Sequence, residues 1–338
     1  MIEDTKKPLI SVVIAVFNGE RFIQECIDAV LAQTYSHIEV ILVDDGSTDD
    51  TLKIVKNNFC DQVKIIKQRN QKVAAARDNG MQHISGKYVA FCDHDDIWEP
   101  EKLKFQVAEM EQNNAICLVH TDAIEDRLRT GIKTRYSLLH PGIKDTGNIF
   151  HWMVKKYAIP LFSTVMMRVE FLEKFNIRFI NSPPGADDIG VLLEMLIYGG
   201  SFGYIDEPLV TRRMHSSNQS SDYLWRFQQR VALYSYILEK HQKKAKDSGS
   251  NKRDLKAVKW GLSDAACRTA DHTFETGEST YLRSLYVKAW ILCPLKMKAL
   301  IKYVLLSVFG LSTLRFIKKR LMYIKIAILF MSVNALWI

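Results

Sequence analysis

The sequence predicts an α/β protein built on a mostly parallel, twisted sheet with helices packed against it. Two patterns carry that prediction. Short apolar runs rich in β-forming residues alternate with segments of helical period, and several of the runs end in clusters of acidic and turn-forming residues. Such alternation means βαβ units, whose crossovers make neighbouring strands parallel.

The elements follow in order. Ile10–Val16 is a continuous apolar strand, and Asn18 is placed to cap the helix after it. Phe22/Ile23, Cys26/Ile27 and Val30/Leu31 recur at helical spacing and give that helix one apolar face. Ile38–Val43 is the next buried strand and runs into Asp44-Asp45-Gly46-Ser47-Thr48-Asp49-Asp50, where Ser47 and Asp50 read as a capping box. A helix over Thr51–Asn57, a strand over Val63–Lys67, an Ala-rich helix from about Val73 to Ile84 and a strand over Tyr88–Cys92 continue the pattern. Pro100 opens a helix to about Gln112, and Ile116–His120 is a further strand. Arg129–Asn148, with three glycines and a proline and no periodicity, reads as a long loop. Leu161–Met167 reads as a strand, Asn181–Ala186 as a turn, and Ile189–Tyr198 as a helix stopped by Gly199-Gly200. A strand near Phe202–Ile205 leads through Pro208 to Arg212-Arg213-Met214-His215. Leu224–Lys244 and about Asp254–Phe274 are helical and flank a polar linker, Lys243–Arg253.

The stretch with the most chemical content is Asp93-His94-Asp95-Asp96, because a buried strand stands directly before it. Open α/β sheets place ligands at the carboxyl ends of their strands. Three acids crowded there repel one another unless a cation holds them. Carboxylate oxygens suit a hard divalent ion such as Mg²⁺ or Mn²⁺, which also bridges phosphate oxygens. The competing reading is a solvated turn that caps the next helix.

Composition sets bounds. With 47% hydrophobic and 25% charged residues among 338, the chain can bury one large core or two modest ones. The six cysteines are scattered, without a CxxC pair or disulfide-like spacing, and the first residues have neither a basic nor an apolar signal region, so a reduced, cytosol-facing protein is expected. After Glu278 no acid follows, yet ten bases do; without them 36 basic residues face 38 acidic ones. The net charge of +8 thus belongs to the C-terminal tail, which argues against a nucleic-acid partner for the body and predicts an anionic partner for the tail.

Four motifs stand in order: Ser11-Val-Val-Ile-Ala-Val-Phe-Asn18, Val43-Asp-Asp-Gly-Ser-Thr48, Asp93-His-Asp-Asp96 and Ala186-Asp-Asp188. In order and spacing they resemble the family 2 glycosyltransferases over about residues 8 to 220. The resemblance implies the GT-A fold and a divalent metal, Mn²⁺ or Mg²⁺. It also implies transfer, with inversion at the anomeric carbon, of a sugar from a nucleotide diphosphate donor (a UDP- or dTDP-sugar as the first expectation). The expected acceptor is a saccharide or a lipid-linked molecule in cell-surface polysaccharide biosynthesis.

Carried over by position, Ala15, Phe17 and Asp45 are expected to hold the nucleoside, with Glu20 close by. An aromatic face and a carboxylate suit a base and a ribose. Core packing is the alternative for Phe17, and turn chemistry is the preferred reading for Asp44. Lys72 stands where the family often has a basic donor contact, with solvation as its alternative. Asp95 is expected to touch the metal, Asp93 and Asp96 the sugar nucleotide, and His94 to stand by. Asp188 matches the catalytic base, which an acceptor hydroxyl needs because it is a poor nucleophile until its proton is removed. The family's preceding Glu is here the shorter Asp187, and helix capping is the alternative for Asp188. Arg213 and His215, with Asn218 and Ser220, match the stretch that returns to the active site; Arg213 suits a phosphate clamp and His215 the metal. Trp98 and Trp152 read as core or rim packing residues, with stacking on a sugar ring as the alternative.

Two other readings are weighed. A nucleotidyltransferase would need a Gly-rich basic phosphate loop, whereas residues 15–21 offer one glycine and one arginine. A catalytically inactive sugar-binding subunit is disfavoured by the intact acids at 93, 95 and 188. The Gln-x-x-Arg-Trp motif of processive synthases is absent, so transfer of a single sugar is expected. The domain plan is a catalytic domain over 1–220, a helical extension over 221–290 and a basic amphipathic tail over 291–338. In that tail, uncharged runs of twelve residues (Tyr303–Leu314) and thirteen (Ile326–Ile338) fall short of the roughly 20 a spanning helix requires. The tail therefore predicts peripheral attachment to the cytoplasmic face of a membrane.

Overall fold

The computed structural model describes residues 7–156, 158–179, 187–215, 223–245 and 252–276, with 285–287, 289 and 291. Two compact units divide the chain. The first runs to Asp222 and includes Glu239–Ala257; the second comprises Tyr223–Leu238 and the residues from Val258 onward.

The first unit is built on strands β1 (Ile10–Val16), β2 (Ile38–Asp44), β3 (Val63–Lys67), β4 (Tyr88–Asp93), β5 (Ile97–Trp98), β6 (Ile116–Arg127), β7 (Ile132–Arg135), β8 (Val165–Arg168) and β9 (Ser201–Met214). They form one sheet in the order β3-β2-β1-β4-β8-β6-β9-β5, with β7 on β6. The first four strands are parallel, joined by helices α1 (Ile23–Leu31), α2 (Thr51–Phe59) and α3 (Lys72–Met81). Beyond β4 the sheet is mixed: β8 is antiparallel to both β4 and β6, while β9 runs parallel to β6. The parallel expectation therefore holds where the helical crossovers are regular. The register sets Val16 beside Asp44 and Ala15 beside Asp93, so β1, β2 and β4 end level with one another.

Helices pack closely on this sheet. A Cβ at Gly80 of α3 would lie 2.5 Å from Val13 Cγ1 on β1, so only glycine permits that approach. Further along are α4 (Lys102–Gln112), α5 (Tyr136–Leu139), α6 (Ile149–His151), α7 (Val169–Lys174) and α8 (Asp187–Ile197). As predicted, α8 stops at Gly199, which has a φ of +82°, and the N–H of Gly200 donates to Met195 O at 2.9 Å. Trp98 is core: it is buried, with Lys102 Nζ 3.7 Å from its ring centre. The second unit is helical, formed by residues 223–238 and 258–276 of helices α9 (Tyr223–Ala245) and α10 (Lys252–Thr276); Tyr234, Ile237 and Leu262 are among its buried residues.

Three sequence expectations differ from the structure. Residues 129–148 are not one long loop but contain β7, α5 and a 3₁₀ turn at Pro141–Lys144. The cause is Asp122, fully buried on β6, whose carboxylate accepts bonds from Ser137 N (2.9 Å) and Ser137 Oγ (2.6 Å) and pairs with Arg135. A buried carboxylate left without such donors would be costly, so it orders the segment that supplies them. Likewise, β9 does not end before Pro208 but continues to Met214, because a register shift next to Pro208 absorbs the missing N–H. The strand expected over Leu161–Met167 begins instead with a 3₁₀ turn, Phe162–Thr164.

Candidate active site

Three loops meet at the level ends of β1, β2 and β4. The two after β1 and β2 are laced together by bonds between side chains and backbone. Asn18 N donates to Ser47 Oγ at 2.9 Å, and Thr48 N donates to Asn18 Oδ1 at 2.8 Å. Gly19 N donates to Thr51 Oγ1 (2.8 Å), Glu20 N to Asp49 Oδ2 (3.1 Å) and Asp50 N to Glu20 Oε2 (2.9 Å). This corrects the two caps read from the sequence. Neither α1 nor α2 is bonded by the side chain of its own N-cap residue, and Asn18, Ser47 and Glu20 satisfy donors across the loops instead. A Cβ at Gly19 would lie 2.7 Å from His94 Cδ2, so the third loop closes against the first through the His94 ring, which therefore has a packing part.

Asp45 is buried, and both its oxygens are engaged within the chain. Oδ1 accepts from Gln68 Nε2 (2.7 Å) and Gln71 N (2.8 Å), and Oδ2 from Lys72 N (2.9 Å). From the β2 loop it caps the amino end of α3, where Lys72 itself has a φ of +74° and an exposed side chain. Asp44 Oδ1 accepts from Ser47 N at 3.1 Å, a turn contact. Phe17 is 43% exposed, so it stands out from the strand end rather than in the core. Ala15 is partly exposed beside Asp93, and Glu20 is exposed.

The third loop carries the acids. Asp93 N donates to Ser163 Oγ (3.0 Å), while Asp93 Oδ1 pairs with the guanidinium of Arg77 at 2.7 Å. Arg77 is buried and lies 4.4 Å over the Phe162 ring. Asp96 N closes a turn onto Asp93 O at 3.0 Å. Burial first, and then the charges of Asp93 and Asp95, push the Asp96 carboxyl well above the usual carboxylate range, against the opposing pull of the Ser163 hydroxyl and Arg212. Asp95 Oδ2 lies 3.0 Å from His215 Nε2, and the His215 ring stacks on Phe22 with centroids 4.9 Å apart. Arg213 donates through Nε to the Asp95 carbonyl, pairs with Glu25 and lies 4.5 Å over the Phe22 ring. The structure therefore brings Asp93, Asp95, Asp96, Arg213 and His215 together, although 117 residues separate Asp96 from Arg213.

Among the described residues no group of three or more His, Cys, Asp or Glu side chains is arranged as a metal cage. One carboxylate (Asp95) and one imidazole (His215) in contact suit a Mg²⁺ or Mn²⁺ ion, which takes few protein ligands and completes its shell with phosphate oxygens and water. The crowding of buried Asp96 with two further acids fits the same ion, since a cation relieves it. A separate concavity of about 460 Å³, lined by Ser85, Lys87 and Glu173 among others, lies by the amino end of β4 and shares no residue with this cluster.

Asp188 is the second residue of α8, partly exposed, with Oδ1 2.7 Å from Ile189 N. The turn Asn181–Ala186, the Asp187 side chain, Asn218 and Ser220 lie outside the described residues, as does the tail from 292 onward. Sequence reasoning missed Arg77, Ser163, Glu25 and Phe22. Arg77 had a signal: it is a single charge after Ala74-Ala75-Ala76, on a helix that packs against the sheet. The other three had none.

Residues 11–175 match the family model for Glycosyl transferase family 2, which ends before Asp188, Arg213 and His215. An uncharacterized glycosyltransferase of Nostoc sp. is 31% identical over 62% of this chain and 66% of its own length. Putative glycosyltransferase EpsE of Bacillus subtilis is 35% identical over 42% of this chain and 54% of its own length. The matched region thus spans between about half and two thirds of these relatives. S. aureus TarS residues 1–349, solved with UDP, superimposes with a TM-score of 0.61 at 16% identity, covering 84% of this chain and 81% of that one. A mannosyltransferase of Pyrobaculum calidifontis, solved with GDP-Man and Mn²⁺, gives 0.56 at 18% identity, covering 91% and 86%. At those identities the likeness concerns the fold, which is GT-A.

Proposed function

Because the chain belongs to glycosyltransferase family 2, we propose that it moves a single sugar, with inversion, from a nucleotide diphosphate sugar to a saccharide or lipid-linked acceptor of a cell-surface polysaccharide. The observation that carries this reading is the meeting of Asp93, Asp95 and Asp96 with His215 at the level ends of β1 and β4. Support for a divalent ion comes from that acid crowding and from the Mn²⁺ bound by the Pyrobaculum calidifontis protein.

In this reading Phe17 and the Asp44–Asp45 loop receive the nucleoside, and Asp45 acts by fixing the α3 end rather than by offering a spare oxygen. Asp95 and His215 hold the ion, which when bound neutralises the diphosphate as it departs. Arg213 holds the Asp95 backbone in place, and Arg77 fixes the Asp93 carboxylate toward the sugar nucleotide. Asp188 accepts the acceptor hydroxyl proton while that oxygen bonds to the anomeric carbon and the diphosphate leaves from the opposite side. Lys72 is an exposed cation close enough in sequence to the Asp45 network to meet donor phosphate.

The tail is proposed to hold the enzyme on the cytoplasmic face of the membrane. Among the described residues no helix is long and apolar enough to cross one. The test is release of nucleoside diphosphate from a panel of UDP-, dTDP- and GDP-sugars with Mn²⁺. Turnover of one donor supports the proposal. Pyrophosphate release from a nucleoside triphosphate and a sugar phosphate would favour a nucleotidyltransferase, and inertness toward every donor a sugar-binding subunit.

A further inference from the structure

Seven large hydrophobic side chains are exposed among the described residues, and four of them, Leu128, Ile132, Leu138 and Leu139, lie between β6 and the end of α5. Leu138 is 73% and Ile132 54% exposed. The same stretch is basic: from Arg127 to Lys144 there are five Lys and Arg residues and no acid. The acids next to the hairpin tip, on β6, are sunk beneath the surface, while Asp206 on β9, 60% exposed, pairs with Arg135 and Lys144. Glu125 and Asp126 side chains are 8% and 14% exposed, whereas their partners Arg127 and Lys133 are 53% and 64% exposed. At the hairpin tip, where Arg127, Arg129 and Lys133 stand beside Leu128 and Ile132, the face turned to solvent is therefore cationic and apolar at once. Its position is fixed by the sheet: β6 and β9 run parallel, Arg127 pairs in register with Met214, and Leu128 N donates to Met214 O at 3.2 Å. Met214 lies between Arg213 and His215, so the hairpin rises from the same rim as the acid cluster.

We infer that the β6–β7 hairpin with α5 is a docking surface for an anionic lipid bilayer, which sets the rim of the candidate active site against the membrane. Apolar side chains flanked by exposed Lys and Arg, as at this tip, are what binds the boundary between headgroups and acyl chains. This rests on the proposed function in one respect: docking there is useful because the acceptor is carried on a lipid. It is independent of the C-terminal tail.

The test uses the full chain with Cys60, Cys267 and Cys293 replaced by Ser, and an environment-sensitive dye on Ile132→Cys or, as control, on Lys64→Cys of β3. Vesicles are phosphatidylcholine alone or equal parts phosphatidylcholine and phosphatidylglycerol. The expected result is a blue shift at position 132 with the mixed vesicles only, reversed by salt, and none at position 64. Replacing Arg129 and Lys133 by Gln is expected to weaken partition into mixed vesicles on the order of tenfold, while donor turnover in solution is unchanged. A silent dye at position 132 on protein that still sediments with vesicles would overturn the inference and leave the tail as sole anchor. A shift that grows with protein concentration without vesicles would overturn it in favour of a second copy. Absence of donor turnover in the unmodified chain, with the shift present, would count against the proposed function and not against the surface.

Discussion

The two halves of the candidate site solve different electrostatic problems. In the loops after β1 and β2, the carboxylates of Glu20, Asp44, Asp45 and Asp49 each accept a backbone N–H. Such bonds fix the loops without outside help. In the third loop, Asp93, Asp95 and Asp96 crowd together, and burial with mutual repulsion drives Asp96 upward. The first region is complete as it stands; in the proposed reading the second is completed by a cation. In the proposed reading the cradle orients a nucleotide diphosphate and the acids set the affinity for its ion.

Substitutions divide along that line. The largest effect is expected outside both regions, at Asp188→Asn, where loss of the proposed general base is expected to lower kcat by roughly 10²–10⁴-fold with donor binding nearly intact. Single-turnover kinetics on the purified variant checks it, and a rate above about a tenth of wild type would remove Asp188 from that role. Asp45→Ala attacks the cradle and leaves the N–H groups of Gln71 and Lys72 without their acceptor. It is expected to cost about 1–3 kcal/mol of stability, read by denaturant unfolding, with no change in metal dependence. A loss of metal dependence without a loss of stability would reverse the assignment of the two regions.

A smaller effect concerns pH. His120 is fully buried on β6, and burial pulls its pKa down from 6.5 to about 4. The unfolded chain therefore binds a proton near pH 6.5 that the folded chain refuses. The stabilisation is fully present above pH 6.5 and is lost as the pH falls toward 4. His120→Phe is expected to flatten that part of the stability profile, measured as Tm between pH 7 and pH 4. An unchanged slope would mean that other groups govern the acid limb.

The same division explains what could be read from the chain alone. The parallel strands, the helices between them and the acids after β4 are visible because each depends on local period and on residues adjacent in sequence. Asp122 looked like any other acid, yet its burial orders residues 129–148. Arg77 and Ser163 reach Asp93 from 16 and 70 residues away; the Ala-rich run before Arg77 hints at it, while no local pattern marks Ser163. The family's motif drew attention to Arg213 as a phosphate clamp; its bonds to the Asp95 carbonyl and Glu25, which tie it to the acid loop, could not be read from that motif. Glu20 and Asp45 were expected beside the nucleoside, and in the structure their oxygens accept backbone N–H groups of the loops. Sequence spacing locates such side chains; only the fold shows which atom they answer.

The claim at the centre of this account is that the Asp95–His215 pair forms the ion-dependent half of the site. Titration calorimetry of UDP, dTDP and GDP, each with Mn²⁺ and with EDTA, on wild type and Asp95→Ala, tests it directly. The expected result is that the substitution weakens binding of the preferred nucleotide strongly in Mn²⁺ and little in EDTA. Equal losses in both buffers would contradict it, making Asp95 a structural residue or a contact to the nucleotide that needs no ion.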